Sequence, residues 1–519
     1  MLLNDFSLEE LQKLNFDGCY LAHYIDFKHG RELVFRSHVD AWPFFWCTEG
    51  NTIVFSDDFY SLASRFKTLT LNRDAIADYF EPGWNNIIKW DRTPFKEIHM
   101  LQTWTYMTAG DNEEPVIRSW KNLDTSIKFT EHNLEDFKRV FFECTDFYLK
   151  KIHDRYGKVI FSVSSGLDSS TLAARYVQLY PDNEVEFYTS KIDDVTDESK
   201  LAVKMESVLH KSIIIVNIRT DTFNYLELLK RHIDKNVPPR FNGLINEGLL
   251  CDEIAEMNIT TPTVCGFGAD GKFGAFGGEY LRFMYEILLK LKILKAYRTY
   301  KGYLRSYSDF DYEHYGNVGV FVKFMLMLAR KIAGKIKRTI IKPLRKNKHD
   351  KIGLLNFSLP PFASSKIKTH KEALEYEGQE GGARDYTIEF MKRKIQVLMP
   401  FEGYRFHELS VHCDPFIFSD GISKACERYA VKGLLPDEIL NNAKKSGNPA
   451  MTLQKSLNAN NNLNIILDYI KGHESIIVNT EQLYRNFSGG NYGQKEFLSL
   501  CLLIFEEKIT AQMGIKINI

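Results

Sequence analysis

The sequence VIFSVSSGLDSSTLAAR at residues 159–175 indicates the architecture of this chain more clearly than any other stretch. The β-branched and aromatic run at 159–163 predicts a buried strand, the small polar residues after it predict a tight turn, and 171–175 predicts the opening of a helix. A strand, a small-residue turn and a helix N-terminus together form an anion site, because backbone N–H groups converge there and the helix dipole adds partial positive charge. The candidate phosphate-binding residues are Ser164, Ser165, Gly166, Leu167, Asp168, Ser169 and Ser170.

The acidic residue inside this turn favours a metal-assisted phosphate site over an ordinary strand–turn–helix connection. Asp168 would repel phosphate by itself, and its position makes sense if a divalent metal lies between the carboxylate and the phosphates. The turn is not a Walker loop, because no Gly-Lys-Ser/Thr follows it.

A second glycine-rich segment, at 266–278, follows a predicted strand end at 261–265 and carries another acid, Asp270. By itself this segment is equally consistent with a flexible surface loop. Together with the turn at 164–170, it supplies what a metal–pyrophosphate site needs from a second strand. We therefore predict that Gly266, Phe267 and Gly268 belong to the pyrophosphate site and that Asp270 is a metal ligand.

Composition limits the class of protein. At 519 residues the chain is too long for one core, so two or three domains are expected. Lys+Arg and Asp+Glu balance at 67 each, so bulk charge does not indicate nucleic-acid binding. Eight cysteines without a C-x-x-C pair argue against a zinc site and a disulfide framework. The first residues contain no apolar core typical of a signal peptide, so a cytoplasmic location is expected.

The predicted organisation changes twice along the chain. Residues 1–125 are rich in strand signals, with hairpins expected around 28–30 and 49–51. From about residue 130 to 275, strands alternate with helices, which predicts an α/β domain with a parallel sheet. From about residue 280 onward the pattern is mainly helical. The last long helix, at 496–510, should bury Phe497, Leu500, Cys501, Ile504 and Phe505.

Four blocks in order resemble the asparagine synthetase family of ATP pyrophosphatases. The turn at 164–170 is similar to the family's pyrophosphate loop, Ser-Gly-Gly-x-Asp-Ser, with Ser165 in place of the first glycine. Asp197-Glu198-Ser199 resembles a following Asp-Glu block, and 266–276 resembles Ser-Gly-x-Gly-x-Asp-Glu-x-Phe-Gly-Gly-Tyr. Residues 399–403 resemble Pro-Phe-Leu-Asp, and 435–444 resemble Leu-Pro-x-x-Ile-Leu-x-Arg-x-Lys.

The resemblance implies a fold, a reaction and a set of site residues. It implies an adenine-nucleotide α-hydrolase-like synthetase domain at 130–519, mainly helical from 280, preceded at 1–125 by a degenerate or truncated glutaminase-like domain. It implies ATP and Mg²⁺ as cofactors, and adenylation of a substrate carboxylate followed by attack of an amine, which yields an amide, AMP and pyrophosphate. Asp168 and Asp270 are the implied metal ligands, with Asp197 as a weaker candidate. Lys444 is the implied catalytic lysine, with Lys445 as the alternative because Asn442 replaces the usual arginine.

Three departures from the family pattern narrow the expected reaction. Glutamine-dependent members begin with a cysteine nucleophile, whereas Leu2 follows Met1 here, and Cys19 is better interpreted as core. We therefore expect no glutamine hydrolysis, although a misassigned start codon would also explain the missing part of the domain. Phe267 replaces a glutamate that helps handle ammonia, and Gly271 replaces the acid after the metal aspartate.

These departures leave three alternative functions. The leading one is an amide ligase whose amine comes from the substrate itself, as in macrolactam formation by a lasso-peptide cyclase or ring closure by β-lactam synthetase. A second is an asparagine synthetase or related amidotransferase that uses ammonia to amidate aspartate or a sugar carboxylate. A third is a catalytically degenerate homologue that binds a nucleotide or a peptide. The expected partners are a small-molecule or peptide carboxylate and a peptide or maturation protein, and no nucleic acid.

A basic stretch at 323–351 is not explained by any of these alternatives. It holds eleven lysines and arginines and one acid, Asp350, while Phe324, Leu328, Ile332 and Ile336 recur at helical spacing until Pro343. The pattern is consistent with a solvated helix that buries one stripe. It is equally consistent with a surface that meets anionic lipid or an acidic peptide.

Overall fold

The computed structural model of the 519-residue chain is an α/β protein. It describes residues 17–26, 31–80, 92–109, 115–121, 123–192, 196–197, 199–219, 223–234, 244–257, 261–273, 286–307, 312–341, 353–358, 382–414, 417, 424–442 and 457–519. Lys444, Lys445 and the turn at 28–30 therefore lie outside the described residues, as does Glu198. In the described part of the chain, no helix is long and apolar enough to cross a membrane.

The N-terminal strands form two antiparallel sheets, as the alternating pattern predicts. One sheet has the order β1-β2-β7-β8 and the other the order β4-β3-β6. Both predicted hairpins are confirmed by antiparallel pairing, of β1 with β2 and of β3 with β4. The strands are β1 (Leu21–Asp26), β2 (Arg31–Arg36), β3 (Phe45–Glu49), β4 (Thr52–Ser56), β5 (Thr68–Thr70), β6 (His99–Met100), β7 (Thr105–Ala109) and β8 (Val116–Ser119). Cys19, which we expected in the core, lies just before β1 and is partly buried, and this burial raises the pKa of its thiol.

The parallel sheet predicted for the middle of the chain is confirmed. Within the described residues its parallel strands are ordered β12-β10-β9-β13-β14, and β11 pairs antiparallel with β10. The strands are β9 (Val159–Ser162), β10 (Val185–Ile192), β11 (Thr196–Asp197), β12 (Ile214–Ile218), β13 (Thr263–Val264) and β14 (Val397–Leu398). β9 and β13 are neighbours, so the segments after their carboxyl ends meet at the same edge of the sheet.

Helices account for most of the rest of the described chain. The first group is α1 (Phe59–Ala63), α2 (Arg73–Phe80), α3 (Leu134–Tyr156), α4 (Leu167–Leu179), α5 (Ser199–Ala202), α6 (Glu206–Leu209), α7 (Tyr225–Ile233), α8 (Leu244–Glu256) and α9 (Ala269–Phe273). The second group is α10 (Ile293–Tyr307), α11 (Tyr312–Ile341), α12 (Gly382–Lys392), α13 (Tyr404–Val411), α14 (Ala425–Ala430), α15 (Asp437–Leu440), α16 (Asn462–Lys471), α17 (Thr480–Ser488) and α18 (Gln494–Glu507). Short 3₁₀ turns lie at Val203–Met205 and Pro400–Glu402, and a π-helical turn at Lys508–Gln512 follows α18.

The long helix α3 shows why these residues form their elements. Glu135 and Asp136 in its first turn and Arg155 in its last turn complement the helix dipole. Gly157 ends the helix with a φ of +66°, which a glycine adopts without strain. Its apolar face packs with β9 and α4 in one buried cluster, so the helix supports the strand that leads into the candidate phosphate turn.

A second core joins the two ends of the chain. The final strand β15 (Lys516–Asn518) pairs parallel with β5, and α18 packs on α2. The five residues predicted to form the apolar face of the last helix are all buried in this cluster, which confirms that prediction. The N-terminal strands and the C-terminal helices therefore share one hydrophobic core, and the domain boundary near residue 125 remains a prediction.

Candidate functional site

The predicted phosphate turn is a tight connection between β9 and α4 that serine hydroxyls hold together. Ser169 Oγ accepts a hydrogen bond from Ser164 N at 3.0 Å and lies 2.8 Å from Ser164 Oγ. Gly166 N donates to Ser164 Oγ at 3.0 Å, and Ser170 Oγ donates to the Ser164 carbonyl at 3.2 Å. Backbone groups at a helix start lack partners within the helix, and here serine hydroxyls bond to them. This explains why small hydroxyl residues fill the turn.

Helix α4 begins earlier than its sequence pattern indicates. The helix was expected to open at residue 171, but it starts at Leu167 with Gly166 as the extended residue before it. Asp168 therefore lies in the first helical turn and not inside the loop. An acid is favourable in that position because the helix N-terminus carries partial positive charge.

The second glycine segment approaches this turn at backbone distance. Gly266 follows β13 and packs so closely that a β-carbon there would lie 2.9 Å from the carbonyl carbon of Asp168 and closer still to Ser169 N. Only glycine fits this approach, which explains the residue type at 266. Asp270 was expected in a flexible loop, but it lies in the first turn of α9. Both predicted metal-ligating aspartates thus project from helices that follow neighbouring parallel strands.

The two aspartates meet on a lysine that the sequence did not single out. Lys424 Nζ lies 2.5 Å from Asp168 Oδ1, 2.7 Å from Asp270 Oδ1 and 3.9 Å from Glu427 Oε2. The lysine side chain is only 7% exposed, and Glu427 is fully buried. Lys424 also has a φ of +60°, a left-handed conformation that is costly for a long side chain and that clusters at functional sites.

The charged Lys424 ammonium lies beside three acidic side chains. Burial by itself would lower the pKa of Lys424, but the carboxylates of Asp168, Asp270 and Glu427 outweigh it and raise that pKa well above its usual value. Burial raises the pKa of Glu427 well above its usual range, and the neighbouring Asp168 charge adds to the effect. The cluster therefore holds its ammonium group firmly protonated beside the phosphate turn.

The donor set fits a divalent cation of the Mg²⁺ type. Asp168 and Asp270 offer hard carboxylate oxygens, both within hydrogen-bonding distance of one ammonium nitrogen, so one cation can be shared by both. Their side chains are 18% and 31% exposed, which leaves each carboxylate open to a ligand. Among the described residues, no group of three or more potential ligands forms a ready-made metal cluster. A metal here would complete its coordination with phosphate oxygens or water.

Asp197, the weaker metal candidate, has different partners. It lies on β11 beyond β10, where it accepts a hydrogen bond from Ser199 and lies 3.5 Å from Lys200 Nζ and 4.0 Å from Lys191 Nζ. The Ser199 hydrogen bond lowers the pKa of Asp197. Its described contacts join neither Asp168 nor Asp270, so the structure does not bring the three predicted metal ligands together.

The segment before the predicted catalytic lysines reaches the phosphate turn. Arg428 donates to the carbonyls of Leu440 and Asn442, which anchors the end of α15. Asn442 Nδ2 in turn donates to the Ser165 carbonyl at 3.1 Å. Asn442, which stands where the family pattern has an arginine, therefore bridges this segment to the turn.

An aromatic wall and a buried ion pair flank the glycine segment. Phe267 stacks on Tyr386 with ring centroids 5.9 Å apart. On the other side, Lys272 Nζ lies 3.4 Å from Glu402 Oε1 and donates to the Gly268 carbonyl at 3.3 Å. Gly268 has a φ of +98° and sits directly against the Glu402 side chain, so both its conformation and its lack of a β-carbon are required.

Sequence reasoning missed Lys424, Glu402 and Lys272. A signal existed for the first: Lys424, Glu427 and Arg428 are three charges within five residues at the start of an otherwise apolar helix. Charged side chains on a buried helix need partners of opposite charge, and such a cluster of charges is a candidate functional site.

Comparisons with known proteins add no family assignment. A scan against models of known protein families finds no match for this chain, and no curated protein sequence matches it significantly.

Proposed function

We propose that this chain is an ATP-dependent amide ligase that adenylates a substrate carboxylate and releases pyrophosphate and then AMP, in the manner of the asparagine synthetase family. The order of the four sequence blocks supports the proposal. The α/β fold also supports it, because the segment at 164–170 follows the carboxyl end of a parallel strand, which is where such sheets bind ligands.

The convergence of Asp168 and Asp270 on Lys424 carries the proposal. In adenylation, a carboxylate oxygen attacks the α-phosphorus of ATP, and the bond from that phosphorus to the bridging oxygen of pyrophosphate breaks. The negative charge that develops on pyrophosphate must be neutralised by positioned charges. The Lys424 ammonium and the first-turn N–H groups of α4 supply such charges, and bound Mg²⁺ would supply Lewis-acid stabilisation of the leaving group.

In the second step an amine attacks the acyl carbon, an amide forms, and AMP leaves with the electron pair of the broken acyl–oxygen bond. The nitrogen gives up one proton to water. Phe267 and Tyr386 form an apolar wall beside the glycine segment, and neither ring is a proton acceptor for ammonia at neutral pH. This wall favours an amine that the substrate itself supplies, because a tethered amine gains its reactivity from proximity. We therefore favour ring closure on a peptide or other tethered substrate, as in lasso-peptide cyclases.

The test supplies the purified chain with Mg-ATP and measures AMP and pyrophosphate. Aspartate is offered first with ammonium and then with glutamine, and peptides that carry a free N-terminal amine and an Asp or Glu side chain are offered next. AMP and a dehydrated cyclic product from the peptides are expected. Asparagine from ammonium would assign the ammonia-using alternative instead.

Asp168→Asn should abolish AMP formation, and Asp182→Asn, which changes an exposed acid in a turn, is the matched control. Nucleotide binding is measured in parallel by the shift of the unfolding temperature with Mg-ATP. Binding without AMP formation on any carboxylate would point to a catalytically degenerate homologue, and the absence of binding would refute the proposal.

A further inference from the structure

The helical hairpin of α10 and α11 exposes large apolar side chains that the proposed reaction does not use. In the segment that leads into α10, Leu289 is 82% exposed and Leu291 83%, and in the first turn of α10 Leu294 is 79% exposed. On α11, one side packs on α10 through Val320 and Phe324. The other side leaves a stripe of apolar residues open, namely Val318, Phe321, Val322, Met325 and Leu326. The spacing of that stripe is i, i+3, i+4, i+7 and i+8, which is one face of a helix.

The two exposed groups form one surface, called here the hairpin patch (Leu289, Leu291, Ile293 and Leu294 with the α11 stripe). Tyr297 connects them, because it lies one turn after Leu294 on α10 and its ring contacts that of Phe321 at 6.2 Å. The Tyr297 hydroxyl also donates to the Asn317 carbonyl at 3.4 Å. Lys295 donates to Asp414, which fixes the start of α10 to the body of the protein.

Basic side chains outnumber acids around the hairpin patch. Residues 287–308 contain six lysines and arginines and no acid, and Lys323 and Arg330 are exposed on α11. The acids beside them are Glu286, which pairs with Lys290, and Asp414, which pairs with Lys295. The chain as a whole has equal numbers of basic and acidic residues, so this excess is local. Lysines at 290 and 292 alternate with the exposed leucines. Such side chains can keep their charge at a lipid headgroup while neighbouring leucines enter the acyl region.

The backbone of Leu291 ends the short helical turn before α10. Leu291 has a φ of +57°, a left-handed conformation in which asparagine or glycine would be favoured over a bulky residue. Leu291 N donates to the Leu288 carbonyl at 2.9 Å and Lys292 N to the Ile287 carbonyl at 3.2 Å, which closes the turn. The turn does not require a leucine, and the side chain is 83% exposed.

From these observations we propose that the hairpin patch docks the protein on an anionic lipid bilayer, with the leucines of 289–294 and the α11 stripe in the interface and the exposed cations Lys290, Lys292, Lys323 and Arg330 at the headgroups. This inference is independent of the proposed function. A bilayer fits better than a protein partner because the patch combines an exposed apolar turn and helix face with flanking exposed cations. A helix-binding groove would cover only one face of one helix.

The test is flotation of the full chain with vesicles of phosphatidylcholine alone or mixed with phosphatidylglycerol, at low and high salt. The chain should float with the anionic vesicles, and high salt should weaken the association. The double change Leu291→Asn and Leu294→Ser should lower vesicle binding by about tenfold or more per leucine. Leu291→Asn by itself should leave the unfolding temperature unchanged or raise it, because it relieves the left-handed strain.

Charge and control variants complete the design. Replacing the exposed Lys292, Lys323 and Arg330 by glutamine should lower binding to anionic vesicles by about a hundredfold. Met257→Ser, which removes an exposed apolar side chain elsewhere, should leave binding unchanged. The proposal is overturned if the chain does not float with anionic vesicles, or if the loop variants float like the wild type. It is also overturned if the patch variants abolish only self-association in sedimentation, or only binding to an acidic peptide such as polyglutamate.

Discussion

Replacing Lys424 with methionine is the sharpest test of the site, because it removes the ammonium and keeps the length of the side chain. The lysine contacts Asp168 at 2.5 Å and Asp270 at 2.7 Å while only 7% exposed. Removing one partner of a buried charge cluster costs about 3–5 kcal/mol. Because the two aspartates retain partial contact with water, we expect the lower end, about 3 kcal/mol of unfolding free energy. Methionine and lysine are equally strained at a φ of +60°, so the backbone contribution cancels.

The same change should make stability depend on magnesium. Without the ammonium, a divalent cation becomes the best partner for the two carboxylates, so Mg²⁺ should stabilise K424M more than the wild type. At a concentration one hundred times its Kd, a ligand adds about 2.7 kcal/mol, which would restore most of the loss. The loss without Mg²⁺ corresponds to a decrease of about 6–12 °C in unfolding temperature for a cooperative unit of about 150–250 residues.

The assay is thermal unfolding with and without Mg²⁺, together with ATP binding, which should weaken about tenfold or more as a charged phosphate contact is lost. Lys150→Met is the control, because Lys150 forms an exposed pair with Asp154 on α3 that contributes at most about 1 kcal/mol. The reasoning is refuted if K424M unfolds at the wild-type temperature without Mg²⁺ and binds ATP normally.

Three further results are expected. Gly266→Ala should push the turn at 164–170 by roughly 1 Å and slow AMP formation about a hundredfold. Gly248→Ala, whose β-carbon would lie 3.5 Å from its nearest neighbour, should leave the rate unchanged, and equal rates for the two variants would exclude the close approach. Glu402→Leu should lower the free energy of unfolding in urea by about 3–5 kcal/mol, because it leaves the buried Lys272 ammonium without its carboxylate. Adding Lys272→Leu should recover most of that loss, and additive losses would contradict the pairing. Burial lowers the pKa of His38 to about 4, so as the pH falls the unfolded chain binds a proton before the folded chain does. The free energy of unfolding should therefore fall by as much as about 3 kcal/mol between about pH 6.5 and pH 4. His38→Phe should make this pH dependence less steep, and an unchanged pH dependence would refute the role of His38.

Local sequence patterns were sufficient to predict an element wherever the segment's own residues show a clear hydrophobic periodicity. The strand at 159–162 and the buried face of the last helix follow from the residue types and hydrophobic periodicity of their own segments, within a few residues. The same patterns placed the start of α4 too late and missed α9, because serine-rich and glycine-rich segments resemble loops even where their backbone is already helical.

The sequence by itself determined that a small-residue segment with one acid follows a buried strand and that a second acid lies in a glycine-rich segment about a hundred residues later. Only the tertiary structure decided that these acids share one ammonium, since Lys424 lies 256 residues from Asp168 and has no periodic pattern of its own. Likewise the sequence showed a basic helix, whereas packing on α10 decided which apolar side chains of α11 remain exposed. Periodicity reports which residues prefer burial within one element, but partners distant in the chain are chosen by how the elements pack.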